Sequence, residues 1–433
     1  MKKEQKFAKY LIDFIDESHS VFHVVKKVEE MLNKEGFKKV KFQEKWKLEK
    51  EGKYYVTKSN SAIIGFIIGK GEIEKDGFKL IGAHTDYPTF KIKPNPEITS
   101  EGKYLKLNTE VYGGPILSTW FDRPLSMAGR VTIKTDNPLK PKQFLLDMKK
   151  PIMVIPNLAI HMNRKVNEGV NINPQTHTLP LLTMIDENIQ KDNFLVGLIA
   201  EDIDVNIEDI LDLELFLYGT EKGTLIGPNE EFISISKLDD LAMVHAGLYG
   251  LIDSKVGNAT NVLVCFDNEE VGSTTKQGAA SPMLRTVLER ISIAMGKNRE
   301  DYYRALSNSF LISADMAHAL HPNYAEKCDP TNRPVINGGP AIKISARQSY
   351  TTDSLSSAIY EGICKSIKVP VQKFVNRSDE RGGSTIGPIS STQLDIPSVD
   401  IGNPILGMHS ARELGGVLDH YYAYESFKEF YRI

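Results

Sequence analysis

The sequence predicts an α/β fold in which a β-rich segment interrupts a sheet that is covered by helices. Three observations support this prediction. Near both ends of the chain, apolar β-branched runs alternate with segments of helical periodicity, which is typical of a sheet with helices on its faces. Between about residues 90 and 230, stretches of alternating polarity and proline-rich joints indicate β structure. The length of 433 residues suits two or three domains.

The composition is that of an ordinary globular protein. Hydrophobic residues make up 41% and charged residues 25%, and 53 basic against 56 acidic residues give a net charge of −3. This balance argues against a disordered chain or a protein that wraps duplex DNA, and no apolar run approaches the roughly 18 residues of a membrane span. The three cysteines are too few and too widely spaced for a disulfide framework or a cysteine-based zinc site. We therefore expect a cytoplasmic protein without nucleic-acid or membrane partners.

The first 90 residues predict two helices followed by two strands. Apolar residues recur at helical spacing between residues 5 and 35, with a break near residues 18–20. Residues 61–68 and 78–83 are apolar, β-branched runs, and the glycine-containing turn at 69–77 predicts that they are neighbouring strands.

The alternation of helices and strands returns near residue 235. Residues 238–252 predict a helix, residues 261–267 a strand, and residues 310–314 another strand, with a further helix ending near Asn298. The simplest organisation is a discontinuous α/β domain of residues 1–90 and 235–433, interrupted by a β-rich domain of residues 91–234.

Side chains of metal-binding type cluster where several predicted strands end, and ligands of α/β sheets bind beyond the carboxyl ends of the strands. Imidazole and carboxylate groups together suit zinc, manganese or cobalt. Two histidines and three carboxylates suffice for a two-metal site in which one carboxylate bridges. The candidates are His84, Asp86, Asp239, Asp240, Asp267, Glu269, Glu270, Asp315 and His409.

The adjacent glutamates Glu269 and Glu270 offer two roles at one position. One could bind a metal while the other, beside a water molecule held at the site, acts as general base. An acidic pair is also common at the start of a helix, where it interacts favourably with the helix dipole. The spacing alone does not decide between these interpretations, because no ligand pair shows the helical HExxH signature.

Eight short motifs resemble, in order, those of the aspartyl aminopeptidase family, cytosolic metallopeptidases with two co-catalytic metals. One such motif would be weak evidence, but eight in family order between about residues 80 and 430 are specific. They are IGAHTDYP at 81–88, FDRPLSMAGR at 121–130, KLDDL at 237–241, DNEEVGS at 267–273, SADMAH at 313–318, GPAIK at 339–343, GSTIGP at 383–388 and HSARE at 409–413.

The resemblance implies a mixed sheet of the zinc-aminopeptidase type and two divalent metal ions in each subunit, Zn²⁺ with Mn²⁺ or Co²⁺ as alternatives. Asp239 would bridge the two ions, and its peptide bond to Asp240 would be cis. The implied ligands of one ion are His84, Asp239 and Asp315, and those of the other are Asp239, Glu270 and His409.

The resemblance also implies the roles of further residues. Glu269 would be the general base that takes a proton from the attacking water and delivers it to the leaving amine. Asp86, two residues from His84 and on the same face of an extended strand, would orient that imidazole. Lys343 matches a lysine of the family's substrate pocket, and His161 matches a histidine that reaches into a neighbouring subunit's active site.

These features predict a metal-dependent aminopeptidase that removes one N-terminal residue from peptides and works as a homo-oligomer, which in the family is a tetrahedral dodecamer. The family usually prefers Asp or Glu at the peptide N-terminus. Relatives commonly carry an Asn-Gln-Arg-Tyr-Ala-Thr-like stretch after the pocket lysine, whereas residues 346–352 read ARQSYTT, with the arginine displaced by two positions. A neutral, leucine-type or broad preference therefore stays open.

Two alternatives belong to other functional classes. In a glycosidase, Glu269 and a second acid would cleave a sugar bond without metal, but adjacent glutamates do not by themselves flank a bond, and the histidines would stay unexplained. A non-catalytic, self-assembling particle could instead keep its metals for structure. The presence of every ligand and of the base argues against that alternative.

Overall fold

A computed structural model describes residues 2–185, 193–380 and 382–433. Its α-helices are α1 (Lys3–Asp16), α2 (Val21–Lys34), α3 (Ile73–Asp76), α4 (Phe194–Asp202), α5 (Leu238–Ile252), α6 (Met283–Ala294), α7 (Arg299–Ser307), α8 (Ser354–Ser366), α9 (Ile386–Leu394) and α10 (Val417–Arg432). Its strands are β1 (Lys38–Lys39), β2 (Lys53–Lys58), β3 (Ala62–Ile67), β4 (Phe78–His84), β5 (Thr89–Ser100), β6 (Tyr104–Tyr112), β7 (Leu125–Ile133), β8 (Lys142–Asp147), β9 (Leu181–Met184), β10 (Ile210–Gly219), β11 (Thr224–Ile226), β12 (Phe232–Ile235), β13 (Thr260–Phe266), β14 (Phe310–Ala314), β15 (Ala317–His318), β16 (Ala341–Ile344), β17 (Gln372–Val375), β18 (Ser398–Gly402), β19 (Pro404–Ile405) and β20 (Glu413–Gly416).

A nine-stranded mixed sheet carries the strand ends that the sequence singles out. Its strand order is β1-β2-β3-β13-β4-β14-β18-β16-β17. Strands β13, β4, β14 and β18 run parallel at its centre, while β3 and β16 pair antiparallel with β13 and β18. Because the carboxyl ends of parallel strands lie at one edge of a sheet, the residues that follow β4, β13 and β14 come together there. The predicted α/β class, with a mixed sheet and helices, is confirmed.

Helices cover both faces of this sheet. Successive strand residues point to opposite faces, so Ile63 and Ile81 pack in one buried cluster with α1, α2, α5 and α10. Their neighbours Ile64 and Leu80 pack in a second cluster with α6, α7 and α9. Burial on both faces explains why these strands are continuously apolar in the sequence.

Two expectations about the elements were wrong. Strands β3 and β4 are not neighbours, because β13 lies between them, antiparallel to β3 and parallel to β4. The ten-residue connection at 68–77, which contains α3, is long enough to cross the two strand spacings, roughly 10 Å in all. Asn298 does not end a helix: α6 stops at Ala294, and the Asn298 side chain instead caps the start of α7 by accepting the N–H of Asp301.

A six-stranded sheet, in the order β8-β7-β10-β5-β6-β9, occupies the part of the chain predicted to be β-rich. All of its pairs are antiparallel. A smaller sheet of β11, β12 and β20 brings residues 413–416 beside residues 232–235. Across the described ranges, no helix has both the length and the apolar character that a membrane crossing requires.

Candidate metal centre

Five chain segments bring the candidate ligands to the carboxyl edge of the central strands. His84 is the last residue of β4, where it lies beside Phe266 of β13, and Asp315 directly follows β14. Glu270 lies in a short 3₁₀ turn after β13. Asp239 lies at the start of α5, where the peptide bond to the next residue is cis. The fifth residue, His409, lies in the loop between β19 and β20.

The first cluster surrounds the His84 imidazole. Its Nε2 lies 3.4 Å from Asp239 Oδ1 and 3.8 Å from Asp315 Oδ1. The Asp240 Oδ2 atom is 4.0 Å from the same nitrogen, and the four side chains offer ligand atoms that all lie within 4.8 Å of one another. All four residues are buried, so this group could hold a metal ion.

The second cluster shares Asp239 with the first. His409 Nε2 lies 3.4 Å from Asp239 Oδ2 and 3.5 Å from Glu270 Oε1. Asp239 therefore turns one carboxylate oxygen toward each histidine, which is the arrangement that a bridging ligand requires. The ligand atoms of these three residues also lie within 4.8 Å of one another, so this group too could hold a metal ion.

The polar atoms of the two clusters suit cations. Asp239 Oδ1 and Glu270 Oε1 are buried and have no hydrogen-bond partner among the residues that the structure describes. Buried carboxylate oxygens are normally paired or bound to a metal. The donor set of imidazole nitrogens and carboxylate oxygens, without cysteine, suits zinc in an open catalytic site.

Three carboxylates accept hydrogen bonds from the backbones that carry the clusters. Asp86 accepts the N–H groups of Glu269 and Glu270 at 3.0 and 3.1 Å. Its carbonyl oxygen lies 3.0 Å from His84 Nδ1, closer than its carboxylate, which is 3.4 Å away. Asp240 accepts the His84 N–H at 3.0 Å, and Glu413 accepts the N–H groups of Asp239 and His409.

Glu269 and Lys343 face a cavity of about 240 Å³ beside the two clusters. The Lys343 ammonium lies 3.3 Å from Asp315 Oδ2 and is buried. The same cavity is lined by Asp239, Glu270, Asp315, Met316, Ala317, His318, Tyr350, Phe374, Gly383, Ser384, Thr385, Met408 and His409. A peptide terminus in this cavity would therefore contact the candidate metal ligands, the carboxylate of Glu269, which lies outside both clusters, and the buried ammonium of Lys343.

Comparison with known proteins assigns the chain to a family. The family model described as aminopeptidase I zinc metalloprotease (M18) matches residues 14–431. The chain belongs to the M18 family of zinc aminopeptidases. It is accordingly a metalloexopeptidase that hydrolyses the N-terminal residue of peptides in a metal-dependent reaction.

Relatives and solved structures agree with this assignment. A probable M18 family aminopeptidase 2 of Clostridium novyi (strain NT) is 61% identical over 433 residues, which is 100% of each chain. The cryo-EM structure of the Ape4 and Nbr1 complex contains a chain with a TM-score of 0.94 and 36% identity, covering 99% of this chain and 86% of that one. A mApe1 dodecamer of S. cerevisiae has a TM-score of 0.85 and 27% identity, covering 99% and 97%.

Burial governs the protonation of this M18 site. Burial raises the pKa of Glu269 to about 8, and the carboxylates of Asp315 and Asp239 act in the same direction despite the opposing effect of His84. For Asp239, burial opposes ionisation, but the two imidazoles of His409 and His84 beside its carboxylate outweigh that effect and lower the pKa. Cations bound at the clusters would favour the ionised carboxylates further.

Two of the histidines identified in the sequence lie outside both clusters. His161 is exposed, in a segment whose neighbours Leu158 and Met162 have 55% and 74% of their surface exposed. His318 lines the cavity wall, where its ring lies 5.8 Å from that of Phe374. In the part of the chain that the structure describes, His318 belongs to no metal-binding group.

Sequence reasoning missed the roles of two residues of this M18 site. Asp240 was noted only as a candidate carboxylate, and Glu413 only as part of a motif. Their contacts with His84 and Asp239 span 156 and 174 positions of the chain. The sequence gives no signal for these roles, because both carboxylates act on main-chain N–H groups, which nearly every residue type carries.

Proposed function

We propose that this M18 enzyme uses two divalent metal ions, most suitably Zn²⁺, held by the two clusters with Asp239 as the bridge. The observation that carries this proposal is that the two oxygens of Asp239 face two different histidines, each 3.4 Å away. Two ions in such a site polarise the scissile carbonyl and activate a water molecule near neutral pH.

The chain's own residues then handle the proton and the substrate. The side chain of Glu269 lines the cavity but belongs to neither cluster, so it is free to take the proton of the attacking water. The same carboxyl group then donates that proton to the leaving amine. Asp86 fixes the Glu269 backbone, and its carbonyl oxygen, as acceptor from His84 Nδ1, keeps Nε2 directed at the first cluster.

The proposed preference is for peptides with Asp or Glu at the N-terminus. Lys343 is a buried cation in the wall of the catalytic cavity, where burial opposes its charge but the nearby acidic groups, with Asp315 the largest contributor, together outweigh that effect and raise its pKa. Its ammonium has three donors, and Asp315 accounts for one of them. The remaining donors suit the carboxylate of an acidic substrate side chain, whereas a leucine side chain would leave them unpaired.

The proposed assembly is a homo-oligomer, specifically a tetrahedral dodecamer in the cytoplasm, in which His161 of one subunit enters the active site of another. The exposed apolar residues beside His161 support a contact between subunits. The solved mApe1 of S. cerevisiae, which is 27% identical, is a dodecamer. We assign catalysis to residues 1–90 and 235–433, and assembly to residues 91–234.

Release of the N-terminal residue from peptides that differ only at that position tests the proposal. The peptides would begin with Asp, Glu, Leu, Lys or Ala, and the metal-loaded protein would be compared with a chelated control. Chelator-sensitive turnover that favours Asp and Glu is expected. Turnover that favours Leu would overturn the assignment of Lys343, and no turnover by metal-loaded, assembled protein would overturn the proposed chemistry.

A further inference from the structure

The carboxylate of Glu413 joins the backbones of two candidate metal ligands. Its Oε1 accepts the N–H of His409 at 2.7 Å, and its Oε2 accepts the N–H of Asp239 at 3.1 Å. The side chain is buried. Because Asp239 lies 174 positions away in the sequence, only the folded chain brings the three residues together.

Strand pairing determines where the Glu413 side chain lies. Glu413 begins β20 and lies opposite Ile235 of β12, four residues before Asp239. A bridge between Leu406 and Leu414 closes the loop that carries His409. The register of the small sheet therefore places the Glu413 carboxylate between the loop and the start of α5.

The backbone at His409 needs such support. Its φ is 66°, in the left-handed region that residues other than glycine seldom adopt. The His409 side chain is partly exposed and is attached to the fold at Nδ1 by the carbonyl oxygen of Gly114, 3.0 Å away. The hydrogen bond from the His409 N–H to Glu413 fixes the main chain at the same residue.

We propose that Glu413 is a positioning residue of the metal centre. It fixes the separation of the Asp239 and His409 backbones and so directs both side chains at the same ion. This inference rests on the assignment of Asp239 and His409 as metal ligands under the proposed function. Asp86 and Asp240 make the same kind of contact with the backbones of other candidate ligands.

A Glu413→Gln variant tests this role without changing the size of the side chain. Glutamine has nearly the same shape, but one of its terminal atoms is a donor rather than an acceptor. Only one of the two backbone N–H groups can then be accepted, and the other faces an NH₂ group. We expect the spacing between Asp239 and His409 to relax, which would weaken the binding of an ion between them.

Cobalt binding to the full-length chain provides the test, because the visible absorption of Co²⁺ reports its coordination. We expect Glu413→Gln to bind the more weakly held Co²⁺ ion about 10–100-fold less tightly and to show an altered absorption band. In steady-state assays kcat should fall while KM for the peptide changes little. Binding would be measured by competition with a chelator of known affinity.

Asp419→Asn is the matched control. Asp419 is also a buried carboxylate whose two oxygens accept backbone N–H groups, those of Asn337 at 2.6 Å and Gly339 at 2.7 Å, but neither residue is a candidate ligand. Asp419→Asn should lower stability while leaving the cobalt spectrum and affinity as in the wild type. Wild-type affinity and spectrum in Glu413→Gln, or an equal change in both variants, would overturn the positioning role.

Hydrogen exchange of the metal-free wild-type protein keeps the inference testable if Glu413→Gln fails to fold. The amides of Asp239 and His409 should be protected before any metal is added, and rapid exchange of both would overturn the proposal. The number of Co²⁺ ions that the wild type binds distinguishes a failure of the proposed function from a failure of the role assigned to Glu413. Fewer than two Co²⁺ per chain would contradict the proposed function, whereas two ions together with an unaffected variant would contradict only the role of Glu413.

Discussion

Asp315 directs one carboxylate oxygen toward His84 and the other toward Lys343. Oδ1 lies 3.8 Å from His84 Nε2, and Oδ2 lies 3.3 Å from Lys343 Nζ. A single aspartate thus links the first cluster to the buried cation of the substrate cavity. The side chain proposed to recognise substrate is therefore positioned by a proposed metal ligand, which couples specificity to the metal centre.

Lys343→Met should remove the preference for acidic N-terminal residues. We expect kcat/KM for Asp-peptides to fall roughly 10–100-fold relative to Leu-peptides, because a hydrogen bond to a charged group contributes about 1.5–3 kcal/mol. Lys373→Met is the control, since Lys373 lies on the neighbouring strand β17, pairs with Glu361 and is largely exposed. An unchanged ratio of Asp to Leu turnover in Lys343→Met would contradict the assignment.

Asp86→Asn should slow turnover while leaving the fold intact. The variant loses one of the two acceptors for the Glu269 and Glu270 N–H groups, so the base and its neighbouring ligand are held less precisely. We expect a loss of about 10–100-fold in kcat. Tyr112→Phe removes only a hydroxyl that donates to Asp86 at 2.8 Å and should have a smaller effect. An effect of Tyr112→Phe as large as that of Asp86→Asn would contradict this ranking.

His161 can be tested by mixing two inactive variants. If His161 acts on the neighbouring site, an assembly of His161→Ala and Glu269→Gln subunits contains sites that combine an intact Glu269 with an intact His161 from the partner. If each site receives His161 from one partner, random mixing of equal amounts gives an intact Glu269 and an intact partner His161 at one site in four. About a quarter of the wild-type activity should therefore return. Recovery would be measured after joint refolding, and no recovery from properly assembled mixtures would contradict a role in trans.

A buried pair of histidines should make stability depend on pH. His245 Nδ1 lies 3.0 Å from His420 Nε2, and burial lowers the pKa of His420 to about 3. Burial also lowers the pKa of His245, with a further contribution from His420. Both folded pKa values lie below the unfolded value of about 6.5. The contribution of the two histidines to the free energy of unfolding is therefore fully present above pH 6.5 and is lost as the pH falls toward 3.

The free energy of unfolding should fall by about 1.4 kcal/mol for each histidine with every pH unit below pH 6.5. Denaturant unfolding between pH 7 and 5 measures it. The double variant His245→Met, His420→Met should lose this component, because replacing both partners by apolar groups leaves no unpaired polar atom. An identical pH dependence in the wild type and the double variant would contradict the assignment.

The sequence was most informative where a single segment carries both structure and chemistry. The apolar runs that became β4, β13 and β14 were predictable, as were the polar residues at their ends, because buried parallel strands are continuously apolar. The position of β13 between β3 and β4 was not, since it depends on pairing between segments nearly 200 residues apart.

The contacts that orient the site were also beyond prediction. Glu413 and Asp240 act through hydrogen bonds to the main chain of distant residues, and main-chain N–H groups leave no mark in the amino-acid sequence. The cis bond after Asp239 was predictable only through the family resemblance. Periodicity and residue type thus predicted that polar side chains collect at the strand ends, and the family resemblance predicted how they are grouped, whereas the strand register determines how they are oriented.

The turnover of Glu269→Gln in metal-loaded protein tests the central claim most directly. The account predicts that this variant binds the same number of metal ions and assembles as the wild type, but releases N-terminal residues about 10²–10⁴-fold more slowly, since it lacks the general base. A variant that retains its metals and a near-normal rate would contradict the mechanism.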